Sequence, residues 1–357
     1  MRKLSLFEGE KRYTISIGSD NLFQSLLPEQ IKDSNQILLL SDTNVTQHYQ
    51  QIWAEIFSGS KFHVLQIPAG EREKSLLNFS KIIDFLIEHQ FRRNDVIVTF
   101  SGGMIGDLGG FTASCYQRGM RLIHCPTSLL AQIDSSVGGK TAINHPSGKN
   151  LIGSFYQPEA VIIDVSTLQT LPDREFISAF AEIVKYALLG NKHIEEMLFN
   201  QLEGIISRDS ELLETLVFYC CEHKASIVSQ DEKETGHRAL LNLGHSFGHA
   251  IEKLTDYQSY LHGEAVSIGL MMAMKLSELK GIVDEQYVDK YAKLLQDIGL
   301  PLCVKENITA EEILNAMARD KKNLNENLRL VLPEKQGCNL YEFSEKDLIK
   351  KAIKQQL

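Results

Sequence analysis

Cysteine, tryptophan and proline are scarce in this chain: six, one and eight among 357 residues. The cysteines, at 115, 125, 220, 221, 303 and 338, form no C-x-x-C pair. That excludes the usual cysteine zinc site and dithiol redox motif. Scattered thiols in a chain this long suit a reducing cytoplasm better than a disulfide framework. Positive charge is also short, with 37 Lys and Arg against 46 Asp and Glu, a net charge of −9. General nucleic-acid binding, which needs a basic surface to release counterions, is therefore not expected. Long apolar runs are missing too. The most weakly polar stretch, 265–274, is too short to span a bilayer, and Met1-Arg2-Lys3 runs straight into mixed polar sequence, unlike a signal peptide. The expectation is a cytoplasmic protein off the membrane.

What is present is an ordinary globular composition, 43% hydrophobic and 23% charged. The length exceeds what one core fills, so two domains are expected. Strands are predicted at 13–17, 36–40, 62–67, 95–100, 121–125 and 160–164, short β-branched or aromatic runs bounded by turn residues. Helical periods such as 74–88 lie between them. This alternation predicts a parallel sheet covered by helices. From about residue 171 the sequence turns to long helical periods, including 191–200 and 210–230, with a late hairpin at 328–332 and 339–343. The division expected is 1–170, an α/β nucleotide-binding domain, and 171–357, a mostly α-helical metal- and substrate-binding domain.

Ser101-Gly102-Gly103-Met104-Ile105-Gly106-Asp107 follows a predicted strand and opens a helix. Glycines there let the backbone approach a phosphate, and the helix start adds free N–H groups; a tight turn with close helix packing is the plainer alternative. The G-G-x-x-G-D spacing is not the usual dinucleotide fingerprint, and no acidic residue follows about twenty positions on. Asp42 and Glu71, each just past another strand, are alternative ribose contacts or simple cap residues. Gly138-Gly139-Lys140-Thr141 looks like the end of a P-loop, but the first glycine would fall at Asp134, which argues against ATP hydrolysis. Lys140, Lys149 and Asn150 in this glycine-rich stretch suit a phosphorylated or carboxylated ligand better than solvated loops do.

His245 and His249 are spaced i, i+4, on one helical face, with His262 further on and a carboxylate, Glu182, in a helical run upstream. A carboxylate with two histidines binds zinc and leaves an open position for substrate. Spacing alone leaves open which two histidines ligate. Cobalt suits the same donor set.

Taken in order, Gly103 to Asp107, Asp134 to Lys140, Gly148-Lys149-Asn150, Ala181 to Tyr186, Asn242 to His249 and His262-Gly263-Glu264 closely resemble the 3-dehydroquinate synthase family of sugar-phosphate cyclases, over nearly the whole chain. The resemblance implies an NAD- and zinc-dependent carbon–oxygen lyase of the shikimate pathway, generally a homodimer, acting on a small sugar phosphate. It oxidises one alcohol, eliminates phosphate, returns the hydride, opens the ring and closes a carbocycle. It implies Glu182, His245 and His262 as metal ligands, and Lys140, Lys185, Arg238, Asn242 and His249 as catalytic residues. Asp134, Lys149, Asn150, Lys224 and Lys321 are implied as substrate contacts, Lys322 being the alternative to Lys321. Arg118 resembles an arginine that reaches the neighbouring subunit's substrate phosphate. For NAD it implies Asp42, Asn44, Glu71, Lys74, Gly103, Met104, Ile105, Gly106 and Asp107. It adds Thr127, Ser128, Lys140, Lys149, and the stretch Thr167, Leu168, Gln169 and Thr170. Two departures stand out: Ser101 replaces the first of three family glycines, and Thr127-Ser128 replaces a Thr-Thr pair. Rival readings are a metal-dependent polyol dehydrogenase, a cyclase of another sugar phosphate, and an inactive scaffold. The lysines argue against an uncharged polyol.

Overall fold

The computed structural model describes residues 1–7, 12–234, 236–320, 327–344 and 346–357. The chain forms two compact units, Met1–Leu171 with Arg208–Lys233, and Pro172–Ser207 with Glu234–Leu357. The single division expected at 170/171 differs from this, because the segment 208–233, most of it the helix Ser210–Gln230, belongs to the first unit. Its Lys224 binds Asp134 and its Cys221 thiol donates to the Gln132 carbonyl.

The first unit is built on a seven-stranded sheet. Its strands are β1 (Arg2–Leu6), β2 (Tyr13–Gly18), β3 (Ile37–Asp42), β4 (Phe62–Ile67), β5 (Val96–Ser101), β6 (Arg121–Pro126) and β9 (Ala160–Asp164). The order is β1-β2-β9-β6-β5-β3-β4, antiparallel only between β1 and β2. Alternation explains why it is covered on both faces. Ile37, Leu39, Val96, Val98 and Phe100 join one apolar cluster, whereas Leu38, Leu40 and Ile97 join the other. All six predicted strands are present, each within two residues of its predicted ends. The polar stretch after residue 139 is different. It forms an antiparallel hairpin, β7 (Lys140–His145) and β8 (Gly148–Phe155). Hydrophobic alternation is faint there, because no residue of β8 is buried.

The helix Gly103–Cys115 lies directly on the sheet: a Cβ at Gly109 would sit 2.5 Å from the Thr99 methyl. Behind it on β6, His124 is buried, its Nδ1 paired with the Thr99 hydroxyl at 2.7 Å. Burial lowers its pKa to about 4.

In the second unit, the helices His245–Leu254 and His262–Leu279 pack against each other, and a hairpin of β10 (Leu328–Pro333) and β11 (Cys338–Phe343) closes one side. The helix pair meets through glycine: a Cβ at Gly269 would lie 2.1 Å from the Gly244 carbonyl oxygen. Among the described residues no helix is long and apolar enough to cross a membrane, and all six cysteines are free thiols.

Gly269→Ala should destabilise the protein. Alanine gains about 1 kcal/mol of helix propensity. The clash is with backbone and forces the helices apart, and overpacking costs about 1–3 kcal/mol. A urea midpoint that does not fall would refute this close approach. His124 gives a second test. Its folded pKa lies below the unfolded value near 6.5, so between the two the unfolded chain binds the extra proton. Stability is therefore complete above about pH 6.5 and declines by up to about 3 kcal/mol towards pH 4. His124→Gln should flatten urea-derived stability across that window relative to wild type.

Candidate metal and nucleotide sites

In the first unit, the residues expected to hold a nucleotide gather at one edge of the sheet. Asp42 ends β3, Gly102 to Asp107 follow β5, Thr127 and Ser128 follow β6, and Thr167 to Thr170 follow β9. These four strands are neighbours, and all four segments lie at carboxyl ends. The connection β3→β4 leaves towards one side of the sheet and β5→β6 towards the other, which makes β3/β5 a switch point. Open parallel sheets bind ligands at the carboxyl ends of such strands. Ser101 sits there, and its hydroxyl donates a short hydrogen bond to Asp42 Oδ2. The departure from glycine thus ties the two strand ends together. Asp42 Oδ1 meanwhile caps the next helix, accepting from the amides of Asn44 at 2.8 Å and Val45 at 3.0 Å.

Lys74 is buried, with its Nζ 2.7 Å from Asp107 Oδ2 and 3.5 Å from Glu71 Oε1. Burial opposes its charge, but the two carboxylates outweigh burial and raise its pKa. Asp107 moves up as well, because burial costs its carboxylate more than Lys74 returns. The two ends of this pair therefore differ: the lysine has two partners and the aspartate shares one. Asn144 of β7 donates to Glu71 Oε1 at 2.8 Å, which places the hairpin beside this cluster. The same hairpin carries Lys140, Lys149 and Asn150, where Asn150 N donates to Asn144 Oδ1 at 3.0 Å. Lys224 Nζ binds Asp134 through both its carboxylate, 2.8 Å, and its carbonyl, 2.7 Å. Thr167 accepts from Gln132 at 3.0 Å, Thr170 pairs with the Tyr49 hydroxyl at 2.9 Å, and Gln169 donates to the Arg208 carbonyl. Leu168 is packed in the core. Arg118 is exposed, on a turn where Gln117 and Arg118 both adopt left-handed φ.

The second unit holds the metal constellation. Glu182 lies in the helix Phe180–Leu188, His245 opens its helix directly after left-handed Gly244, and His262 opens the next. Gly263 permits that start, since a Cβ there would meet the Ser178 carbonyl oxygen at 1.8 Å. His245 Nε2 lies 3.3 Å and His262 Nε2 3.6 Å from Glu182 Oε1. Ligands about 2.1 Å from a tetrahedral zinc stand about 3.4 Å apart. The three donors therefore fit a divalent cation. Glu182 is 1% exposed, yet neither oxygen accepts a well-directed hydrogen bond. The partners are ionic: Lys185, three residues on and 2% exposed, makes a short ion pair with Glu182 Oε2.

Burial opposes the Glu182 charge, but Lys185 and His245 hold its carboxyl well below the usual range. Burial lowers the pKa of His245 despite Glu182. Burial also opposes charge on His262, yet the nearby carboxylates of Glu182 and Glu252 outweigh it and push its pKa to about 10.

Of the three histidines, the structure brings 245 and 262 to Glu182. His249, whose ring is 5.4 Å from that of His245, converges instead with His262 and Glu252. Glu252 was not singled out from sequence; its signal is the run His245, His249, Glu252, spaced four and three along one helix face. Asn242 donates to Glu234 Oε1 at 2.8 Å, and Arg238 is 1% exposed. Lys321 and Lys322 lie outside the described residues.

Comparison with known proteins adds to this geometry. The family described as 3-dehydroquinate synthase N-terminal matches residues 64–178, and 3-dehydroquinate synthase C-terminal matches 179–323. A 3-dehydroquinate synthase of Vibrio atlanticus (strain LGP32) is 41% identical over 356 residues, 99% of this chain and 98% of that protein. One of Legionella pneumophila (strain Lens) is 45% identical over 327 residues, 92% and 89% of the two chains. Among solved structures, 2-deoxy-scyllo-inosose synthase complexed with carbaglucose-6-phosphate, NAD+ and Co2+ covers 100% of both chains, with a TM-score of 0.89 and 26% identity. With Glu182, His245 and His262 all inside the matched C-terminal segment and the likeness running almost end to end, the chain belongs to the 3-dehydroquinate synthase family.

Proposed function

We propose that this chain converts 3-deoxy-D-arabino-heptulosonate 7-phosphate into 3-dehydroquinate and inorganic phosphate. The observation that carries the reading is the buried Glu182, faced by His245 and His262 at tetrahedral spacing, in a chain of this family. Zn2+ or Co2+ held by these three residues would supply a Lewis acid at the substrate hydroxyl. NAD would take one hydride and return it within each turnover, so it is not consumed.

The protein's own groups supply charge and position. Lys185 is a buried ammonium beside Glu182; it would stabilise negative charge developing on a substrate oxygen. Asn242 spends an amide hydrogen on Glu234, which fixes the plane of the amide and leaves its oxygen to accept from substrate. Lys224, anchored twice on Asp134, presents a fixed cation. With Arg238, Lys140, Lys149, Asn150 and Lys321 it matches the carboxylate and phosphate of the substrate, as bidentate or point-charge partners. The leaving phosphate takes the proton during elimination, and His249 serves as a relay or holds that phosphate. Asp42, Asn44, Glu71, Lys74, residues 103–107, Thr127, Ser128 and residues 167–170 are the NAD contacts, with Lys140 and Lys149. The working form is a homodimer in which Arg118 reaches the neighbouring subunit's substrate phosphate, and the protein acts in the cytoplasm.

Zinc-loaded protein given the heptulosonate phosphate and trace NAD should release stoichiometric phosphate, with many turnovers per NAD and no accumulating NADH absorbance. No phosphate from folded, metal-bound protein would redirect the assignment to another sugar phosphate. NADH accumulating with a polyol would redirect it to a dehydrogenase. His262→Ala should lose bound zinc while His249→Ala keeps it, read by metal analysis; the reverse pattern would exchange their roles.

A further inference from the structure

Both histidines that face Glu182 do so through Nε2, at 3.3 and 3.6 Å from the same oxygen. An imidazole binds a cation through an unprotonated nitrogen, so the proton of the neutral ring must sit on Nδ1. For His245 the main chain settles this: Nδ1 lies 3.0 Å from the Leu243 carbonyl, which can only accept. His262 opens its helix, and its Nδ1 faces a side chain instead, Glu252 Oε1 at 3.5 Å. Glu252 is 3% exposed and comes from the helix that carries His245.

We propose that Glu252 is the positioning residue of His262, holding its Nδ1 protonated and its Nε2 lone pair on the metal position, as the Leu243 carbonyl does for His245. The inference rests on the metal reading above and extends it by one residue. A carboxylate is an acceptor that cannot exchange roles with the ring, so it fixes the tautomer. It also sets the ring plane and raises the basicity of the liganding nitrogen. The competing arrangement is a direct one. His249, Glu252 and His262 also converge within ligand distance of one another, so Glu252 could itself take the cation.

The test compares wild type, Glu252→Gln and Glu252→Leu, with Glu182→Gln as the lost-ligand reference. Zinc affinity is measured by competition with a chromogenic chelator, beside the urea midpoint of each metal-free protein. Glutamine keeps an acceptor but loses the charge, so Glu252→Gln should bind zinc about 10–100-fold more weakly. Leucine should be weaker again. The visible Co2+ spectrum of Glu252→Gln at saturation should match wild type, because the ligands are the same. Unchanged affinity with a lowered metal-free midpoint would make Glu252 purely structural and overturn the proposal. Zinc loss as severe as in Glu182→Gln, with an altered Co2+ spectrum, would make it a ligand and also overturn it. Wild type that binds no cation would defeat the metal reading itself, a distinct failure. If the variants do not fold, zinc-loaded wild type with 15N-labelled histidine answers the question. Nδ1 protonated and Nε2 metal-shifted at His262 supports the assignment; the opposite pattern refutes it.

Discussion

A carboxylate withdrawn from water costs several kcal/mol unless positive charge accompanies it, and the second unit is organised around one such group. Glu182 is 1% exposed, and three elements meet at it. Lys185 comes from its own helix one turn on, and His245 and His262 come from the starts of two others. Those starts reach Glu182 because glycine removes the side chains that would hold the backbones apart, at Gly263 against Ser178 and at Gly269 against Gly244. Packing and electrostatics are therefore one constraint. Any substitution that widens the helix contact also separates the histidines from the carboxylate.

The first unit solves a different problem. Its strands are apolar on both faces, and the residues expected to hold a nucleotide gather instead at the carboxyl ends of β9, β6, β5 and β3. The Ser101–Asp42 bond and the Lys74–Asp107–Glu71 cluster stiffen that edge. Such residues lose little conformational freedom when a ligand arrives, which favours binding.

The alternating strands of the first half were legible in the sequence, because runs such as Ile37–Leu40 and Val96–Phe100 are apolar enough to identify themselves. The β7–β8 hairpin was not, since exposed Leu151 and Phe155 alternate with polar residues and two glycines. The membership of 208–233 in the first unit was equally hidden. It depends on tertiary partners such as Asp134 and Gln132 that no local pattern announces. At the candidate metal site, spacing alone gave three histidines; the family resemblance implied His245 and His262, and in the fold these are the two that face Glu182. Glu252 was missed for a related reason. A glutamate next to a lysine near a helix end reads as solvated until its burial is known.

The net charge of −9 raises the question of how an anionic substrate is admitted. Screening answers it: at physiological salt, exposed charges act over about 8 Å, so distant acidic groups contribute little at a pocket. Groups such as Lys185, Lys224 and Arg238 are buried, at 2%, 6% and 1% exposure. There the dielectric is low and screening is weak, so each cation counts for more than a surface carboxylate does. The cost is that these cations must be held without substrate, and the structure shows two of the holders: Glu182 for Lys185 and Asp134 for Lys224. Both holders are themselves residues of the proposed site. The same carboxylates that would engage metal and substrate thus hold Lys185 and Lys224, each within its own unit, before either arrives.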